Sequence, residues 1–225
     1  SYMTIFSYKD IPVRIHWTFF LLFAFLVAPY LWPLNLSPLI SASVLLTGLF
    51  SFVIMHEFGH ALMAQRFGMK TRSITLYPFG GIAAVENMVE GGKAELYIAL
   101  AGPAVNAVMC ILLLPLMLMG VPFCFEFFWL NLVMAVFNMF PVFPMDGGRV
   151  LRALLTKWTT KEEATKQSLR ISVVFVSLFF IGAIKFTSLS LFLVAIVLSY
   201  FIYNERRRMI EETHRRLKWE MFKEK

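Results

Sequence analysis

Two histidines and a glutamate lie close together in this chain, in the motif His56-Glu-Phe-Gly-His60. Side chains four residues apart project from the same face of an α-helix, so both imidazoles can bind one Zn²⁺ ion. The Glu57 carboxylate can reach a water molecule at that ion and act as a general base. Gly59 leaves room for a second backbone or a substrate to approach the helix. The spacing therefore predicts metal-assisted hydrolysis.

The surroundings of this motif argue against a chance match on a solvated helix face. From residue 37 to residue 64, the only ionisable side chains are the three of the motif. Each ionisable group in a lipid-embedded helix costs about 2.5–3.5 kcal/mol, and a bound cation would compensate that cost. A structural or transport-site metal is the alternative to a catalytic one.

A catalytic zinc site needs a third protein ligand and an open fourth position. His16 and His214 are remote in sequence, and carboxylates within apolar surroundings are few. Asp146 is the best candidate, because it follows a proline-containing stretch that disfavours a regular helix. The alternative is that Asp146 caps a short helix predicted over residues 147–156.

The composition places these residues in a membrane protein. Of the 225 residues, 59% are hydrophobic and 16% are charged, against roughly 45–50% and about 25% in typical soluble domains. This excludes a disordered chain, a nucleic-acid-binding module and an ordinary soluble enzyme. The predicted fold class is an all-α polytopic membrane protein, whose six candidate transmembrane helices span residues 16–32, 37–67, 95–119, 125–140, 168–184 and 189–203.

The cationic residues predict the orientation of these segments. If the N-terminus is cytoplasmic and each segment crosses once, every lysine and arginine except Lys185 lies on the cytoplasmic side, as the positive-inside rule requires. Both termini are then cytoplasmic, and the metal motif lies toward the cytoplasmic face of the bilayer. We expect a membrane core over residues 1–203, followed over residues 204–225 by a basic juxtamembrane tail on anionic lipid, or a linker.

One stretch between the second and third segments has the pattern of a β-hairpin. Apolar and polar residues alternate over residues 72–77, a turn follows at 78–81, and residues 82–85 form the returning strand. The hairpin either fills a cytoplasmic loop or offers an exposed edge on which an extended peptide adds a strand.

These motifs together resemble the site-2 protease family of intramembrane zinc metalloproteases. The resemblance rests on the histidine motif, on Asn138…Pro141…Pro144-Met-Asp146-Gly-Gly, and on the elements Pro78-Phe-Gly-Gly81 and Ala101-Gly-Pro-Ala-Val-Asn106. It covers nearly the whole chain.

The resemblance implies one zinc ion per chain, held by His56, His60 and Asp146, with Glu57 as the catalytic base. It also implies substrates that are membrane proteins with a transmembrane helix. Asn106 and Asn138 are candidate donors to the oxyanion formed during peptide hydrolysis, and helix–helix hydrogen bonding is the alternative for each.

A polytopic metal-binding protein or metal transporter is the competing function. Transport favours several weak polar sites along a path, whereas the candidate ligands here are predicted to lie at one depth beside a glutamate. A membrane metalloprotease that uses a downstream glutamate ligand is disfavoured, because the last predicted segments contain no acidic residue before Glu205. A non-catalytic relative is disfavoured because Glu57 is intact.

Overall fold

The computed structural model describes residues 2–31, 36–77, 80–86 and 90–223. Within these ranges the chain forms four strands, which are β1 (Tyr2–Tyr8), β2 (Ile11–His16), β3 (Thr71–Tyr77) and β4 (Gly80–Val85). The helices are α1 (Trp17–Val27), α2 (Leu36–Arg66), α3 (Gly92–Leu118), α4 (Cys124–Asn138), α5 (Asp146–Leu155), α6 (Lys161–Lys185) and α7 (Leu189–Lys223).

Four of the described helices, α2, α3, α6 and α7, are long and apolar enough to cross a membrane. The helices α1 and α4 are apolar but shorter, with 11 and 15 residues, whereas a perpendicular crossing needs about 20. The structure therefore confirms a mostly helical chain with several candidate spans. The expectation of six crossings stays a prediction.

The four strands form one sheet in the order β1-β2-β3-β4. The β1–β2 and β3–β4 pairs are antiparallel, and β2 runs parallel to β3 with Val13 opposite Ile74. Strands β1 and β2 were not expected from the sequence. Their connecting residues Lys9 and Asp10 both have positive φ, as a type I′ hairpin turn requires, but they lack the Asn-Gly or Asp-Gly pattern that usually marks such a turn.

Contacts divide the chain into two compact units, the first formed by residues 1–89 and 100–137. In this unit one face of the sheet packs against α2. Buried Ile11, Val13 and Ile74 form one apolar cluster with Ala61, the residue that follows the histidine motif. The apolar periodicity of the strands thus fixes the motif-bearing end of α2.

The second unit comprises residues 90–99 and 138–225. Its core joins the segment before α5 to α6 and α7, through Val142, Phe143, Leu169 and Leu198 among others. Helix α7 continues without interruption past residue 203, and Glu205 lies 3.2 Å from Arg152 of α5. The first residues of the predicted tail therefore belong to a packed helix.

Candidate metal centre and catalytic site

The two histidines of the motif lie side by side near the end of α2. Both are buried, and the Nε2 atoms of His56 and His60 are 3.1 Å apart. Tetrahedral zinc binds imidazole nitrogen at about 2.0–2.1 Å, which places two ligand nitrogens roughly 3.3 Å apart. The pair therefore fits two ligands of one ion, as the four-residue spacing predicted.

Two glycines allow α3 to approach this pair closely. A β-carbon at Gly102 would lie 2.7 Å from the Nε2 of His56 and closer still to that of His60, and one at Gly59 would lie 2.6 Å from the carbonyl oxygen of Ala101. The space beside the two imidazole nitrogens therefore exists only because neither position carries a side chain. Gly59 does make room for a second backbone, and that backbone is α3.

Asn106 of α3 contacts the first histidine directly. Its Oδ1 lies 2.5 Å from the Nδ1 of His56, and its Nδ2 donates to the Oδ1 of Asn131 at 2.9 Å. Both asparagines are fully buried. Asn131, on α4, was not among the residues expected from the sequence.

Glu57 points toward strand β4. It is half-buried, and a β-carbon at Gly81 would lie 2.7 Å from its Cγ. The β4 backbone thus passes directly over the Glu57 side chain. No other described strand pairs with the far edge of β4.

Asp146 lies in the second unit, as the first residue of α5. The N-cap residue is Met145, which makes no side-chain capping bond, so Asp146 lies one position inside the helix that it was alternatively expected to cap. Its side chain is buried. Gly148 lets the preceding segment fold back over the helix start, since a β-carbon there would lie 2.8 Å from the backbone nitrogen of Phe143. This packing holds Asp146 in place.

Asn138, the last residue of α4, is half-buried and also belongs to the second unit. Within the first unit the structure brings together four predicted site residues, namely His56, Glu57, His60 and Asn106.

A buried ion pair anchors α5 in the second unit. The guanidinium of Arg152 donates to both carboxylate oxygens of Glu95 on α3, with Nε 3.1 and 3.2 Å from them. Arg152 also donates to Glu205 at 3.2 Å and stacks over the ring of Phe143. Sequence reasoning counted Arg152 only as a cytoplasmic charge. Glu95 could have been recognised as its partner, because it is an acidic residue at the start of an otherwise apolar segment.

The model of peptidase family M50 matches residues 44–122 and 119–181 of the chain. These ranges cover more than half of its length and include the histidine motif and Asp146. This chain belongs to peptidase family M50. The resemblance to site-2 proteases inferred from the motifs is thereby confirmed.

Named relatives agree with membership in family M50. A zinc metalloprotease of Methanocaldococcus jannaschii is 34% identical over 216 residues, covering 92% of this chain and 61% of the relative. Stage IV sporulation protein FB of Bacillus subtilis is 31% identical over 183 residues, covering 75% of this chain and 57% of that protein. The M50 chain described here thus spans about three fifths of the length of these two relatives.

A solved structure agrees as well. The site-2 protease from Methanocaldococcus jannaschii superposes with a TM-score of 0.67 at 30% sequence identity, covering 91% of this M50 chain and 95% of that chain. The shared architecture therefore extends over nearly the whole of the M50 core.

Proposed function

We propose that the chain is an intramembrane zinc metalloprotease that hydrolyses peptide bonds in or near transmembrane segments of membrane proteins. The observation that carries this proposal is the pair of buried imidazoles, whose Nε2 atoms are 3.1 Å apart, with Glu57 between the two histidines in the sequence. Membership in family M50 supports the same activity. Glu57 beside the two histidines favours hydrolysis over transport, because peptide hydrolysis needs a general base to activate water.

In this proposal one zinc ion is held by His56, His60 and Asp146. Neutral imidazole and carboxylate are the ligands that catalytic zinc takes in proteins, and all three side chains are buried. When bound, the zinc supplies Lewis acidity that polarises the scissile carbonyl.

Glu57 performs the proton transfers of the proposed reaction. Its carboxylate takes a proton from the attacking water and later delivers it to the departing amine. The close passage of β4 over Glu57 restricts the directions from which a substrate carbonyl can approach. Asn138 is proposed to donate a hydrogen bond to the oxyanion or to the substrate backbone.

The substrate must be locally extended when it is cut. Within a transmembrane helix the carbonyl groups are engaged in intrahelical hydrogen bonds, so cleavage requires an unwound stretch. We propose that this stretch pairs with the free edge of β4, which sets its backbone beside Glu57. Substrates with helix-weakening residues near the membrane boundary are therefore preferred.

The proposed placement in the membrane follows the charge distribution. Six crossings with both termini in the cytoplasm leave every cationic residue except Lys185 on the cytoplasmic side. The basic end of α7, over residues 204–225, is proposed to lie on the anionic surface of the inner leaflet. The active site then opens toward the cytoplasmic face, from which water reaches it.

The direct test is cleavage of a membrane-spanning substrate by the protein reconstituted in liposomes. Glu57→Gln should keep its bound zinc and lose cleavage by a factor of about 10²–10⁴, because only the general base is removed. Glu212→Gln, at an exposed position of α7, serves as the control and should cleave normally. Undiminished cleavage by zinc-replete Glu57→Gln would reject Glu57 as the catalytic base. A wild-type protein that cleaves no membrane-spanning substrate would reject the proposal, and zinc flux into the liposomes that survives Glu57→Gln would then establish a transporter.

A further inference from the structure

A chain of three side chains leads from α4 to the metal motif. Asn131 donates from Nδ2 to the backbone carbonyl oxygen of Phe127 at 2.9 Å. Its Oδ1 accepts from Asn106 at 2.9 Å, and the Oδ1 of Asn106 contacts the Nδ1 of His56 at 2.5 Å. Both asparagines are fully excluded from solvent, so water does not substitute for any of these partners.

The Phe127 carbonyl determines which group donates and which accepts in each of these hydrogen bonds. A backbone carbonyl can only accept a hydrogen bond, so Asn131 must turn its amide nitrogen toward Phe127 and its oxygen toward Asn106. Asn106 must then present its own nitrogen to Asn131 and its oxygen to His56. An oxygen acceptor requires a hydrogen on the Nδ1 of His56. The neutral imidazole therefore carries its lone pair on Nε2.

That lone pair is on the nitrogen that faces the second histidine. The Nε2 of His56 lies 3.1 Å from the Nε2 of His60, beside the open space left by Gly102. We propose that Asn131 and Asn106 are positioning residues that fix the tautomer and ring orientation of His56, so that Nε2 is always the metal-binding nitrogen. This inference rests on the metal site of the proposed function.

Helix–helix adhesion is the competing explanation for this chain. Interhelical hydrogen bonds between polar side chains in membranes contribute only about 0.6 kcal/mol on average, so a leucine would pack α3 against α4 comparably well. Partners that orient a metal-bound histidine, by contrast, typically change metal affinity 10–100-fold. Asn106 thus acts through His56. Asn138 is therefore the residue proposed to donate a hydrogen bond to the oxyanion.

Zinc affinity, measured by competition with a chelator, separates the two explanations. Asn131→Leu removes the acceptor that orients Asn106. The Asn106 amide can then turn its nitrogen toward the Nδ1 of His56, and the ring hydrogen of His56 moves to Nε2. We expect zinc affinity to fall at least tenfold. Asn131→Asp should restore most of it, because a protonated aspartate keeps both the acceptor and the donor.

Cys110→Ala provides a matched control. Cys110 lies one turn after Asn106 on α3 and contacts the backbone oxygen of Phe128 on α4, with its Sγ at 3.7 Å. Its truncation disturbs the packing of the same two helices and leaves the asparagine chain intact. We expect wild-type zinc affinity and an unchanged visible spectrum of the Co²⁺-substituted protein, whereas Asn131→Leu should alter that spectrum.

Two results would overturn the inference. One is wild-type zinc affinity in Asn131→Leu, and the other is an equal loss in Cys110→Ala. If Asn131→Leu does not fold, ¹⁵N NMR of the histidine rings in the metal-free wild-type protein decides instead, since a hydrogen on Nε2 of His56 contradicts the proposed direction. These outcomes leave the proposed function standing, whereas a wild-type protein that binds no zinc would remove it.

Discussion

At the residue scale, the absence of a side chain at Gly102 is as important to the site as the ligands themselves. A methyl group there would occupy the space beside the Nε2 atoms of both His56 and His60. We expect Gly102→Ala to lose zinc binding almost completely, because an ion and a methyl group cannot share this volume. Zinc content of the purified protein measures the effect.

The control for this substitution is Gly182→Ala on α6. Beyond its own helix, no described residue lies within 4 Å of a β-carbon at Gly182, so the added methyl should leave zinc binding intact and stabilise the helix by up to about 1 kcal/mol. A Gly102→Ala protein that binds zinc as tightly as the Gly182→Ala protein would show that the histidines do not hold the ion in the observed arrangement.

The ligand pattern could be predicted from sequence, but its immediate neighbours could not. His56, Glu57 and His60 share one local helical period, which is visible in a single stretch of chain. Gly81 and Gly102 reach the same side chains only through the packing of β4 and α3 against α2. Asn131 is connected to His56 through Asn106, on yet another helix. Contacts of this kind depend on how elements cross, and no local pattern encodes them.

At the element scale, the Glu95–Arg152 pair ties α5 to α3 within the second unit. Both side chains are buried, so removing one partner leaves an uncompensated charge in a dry environment. We expect Glu95→Leu to lower the free energy of unfolding by about 3–5 kcal/mol. The double variant Glu95→Leu/Arg152→Leu should recover part of this loss, because it removes both charges. Unfolding in detergent micelles measures each variant.

An exposed pair on α7 is the comparison. Arg207 and Glu211 are joined at 2.9 Å with both side chains more than half exposed, and such pairs contribute about 0–1 kcal/mol. If Glu95→Leu destabilised the protein no more than Glu211→Gln does, the buried pair would not anchor α5.

The ionisation of Glu90 makes the stability of the same region depend on pH. Burial acts to raise the pKa of Glu90, but the hydrogen bond from Lys161, at 2.7 Å, and the charges of Arg152 and Arg208 outweigh it, so the pKa is lowered. A lowered pKa stabilises the folded protein above the unfolded-state value of about 4.3, and this contribution is lost as the pH falls through the folded-state pKa.

We therefore expect the thermal stability of the wild-type protein to fall more steeply than that of Glu90→Gln as the pH decreases below about 5. Unfolding temperatures measured from pH 7 to pH 3 would show the two curves converging in acid. Parallel curves would mean that Glu90 contributes no charge-dependent stability.

The strands show where element-level prediction succeeds and fails. Alternating polarity is visible over residues 72–77, and the structure forms β3 there. Strand β1 is exposed along its whole length, so its sequence shows no pattern of residues that face a core. Strand β2 pairs with β3 although more than fifty residues separate them, and a parallel pairing at that distance cannot be read from a short-range pattern.

At the scale of the whole molecule, composition and charge are the informative signals. They predict a polytopic membrane protein without knowledge of any contact, and four described helices satisfy the length and apolarity of a span. The shorter helices α1 and α4 cannot be assigned by length alone. The first of them follows directly on β2, so its start is set by the sheet and not by an apolar boundary.

The central claim is that one zinc ion is held by His56, His60 and Asp146. Anomalous diffraction at the zinc edge, from crystals of the purified protein, tests it most directly. We predict a single peak per chain within bonding distance of the Nε2 atoms of His56 and His60 and of one carboxylate oxygen of Asp146. A peak bound elsewhere, or one without Asp146 among its ligands, would contradict this account.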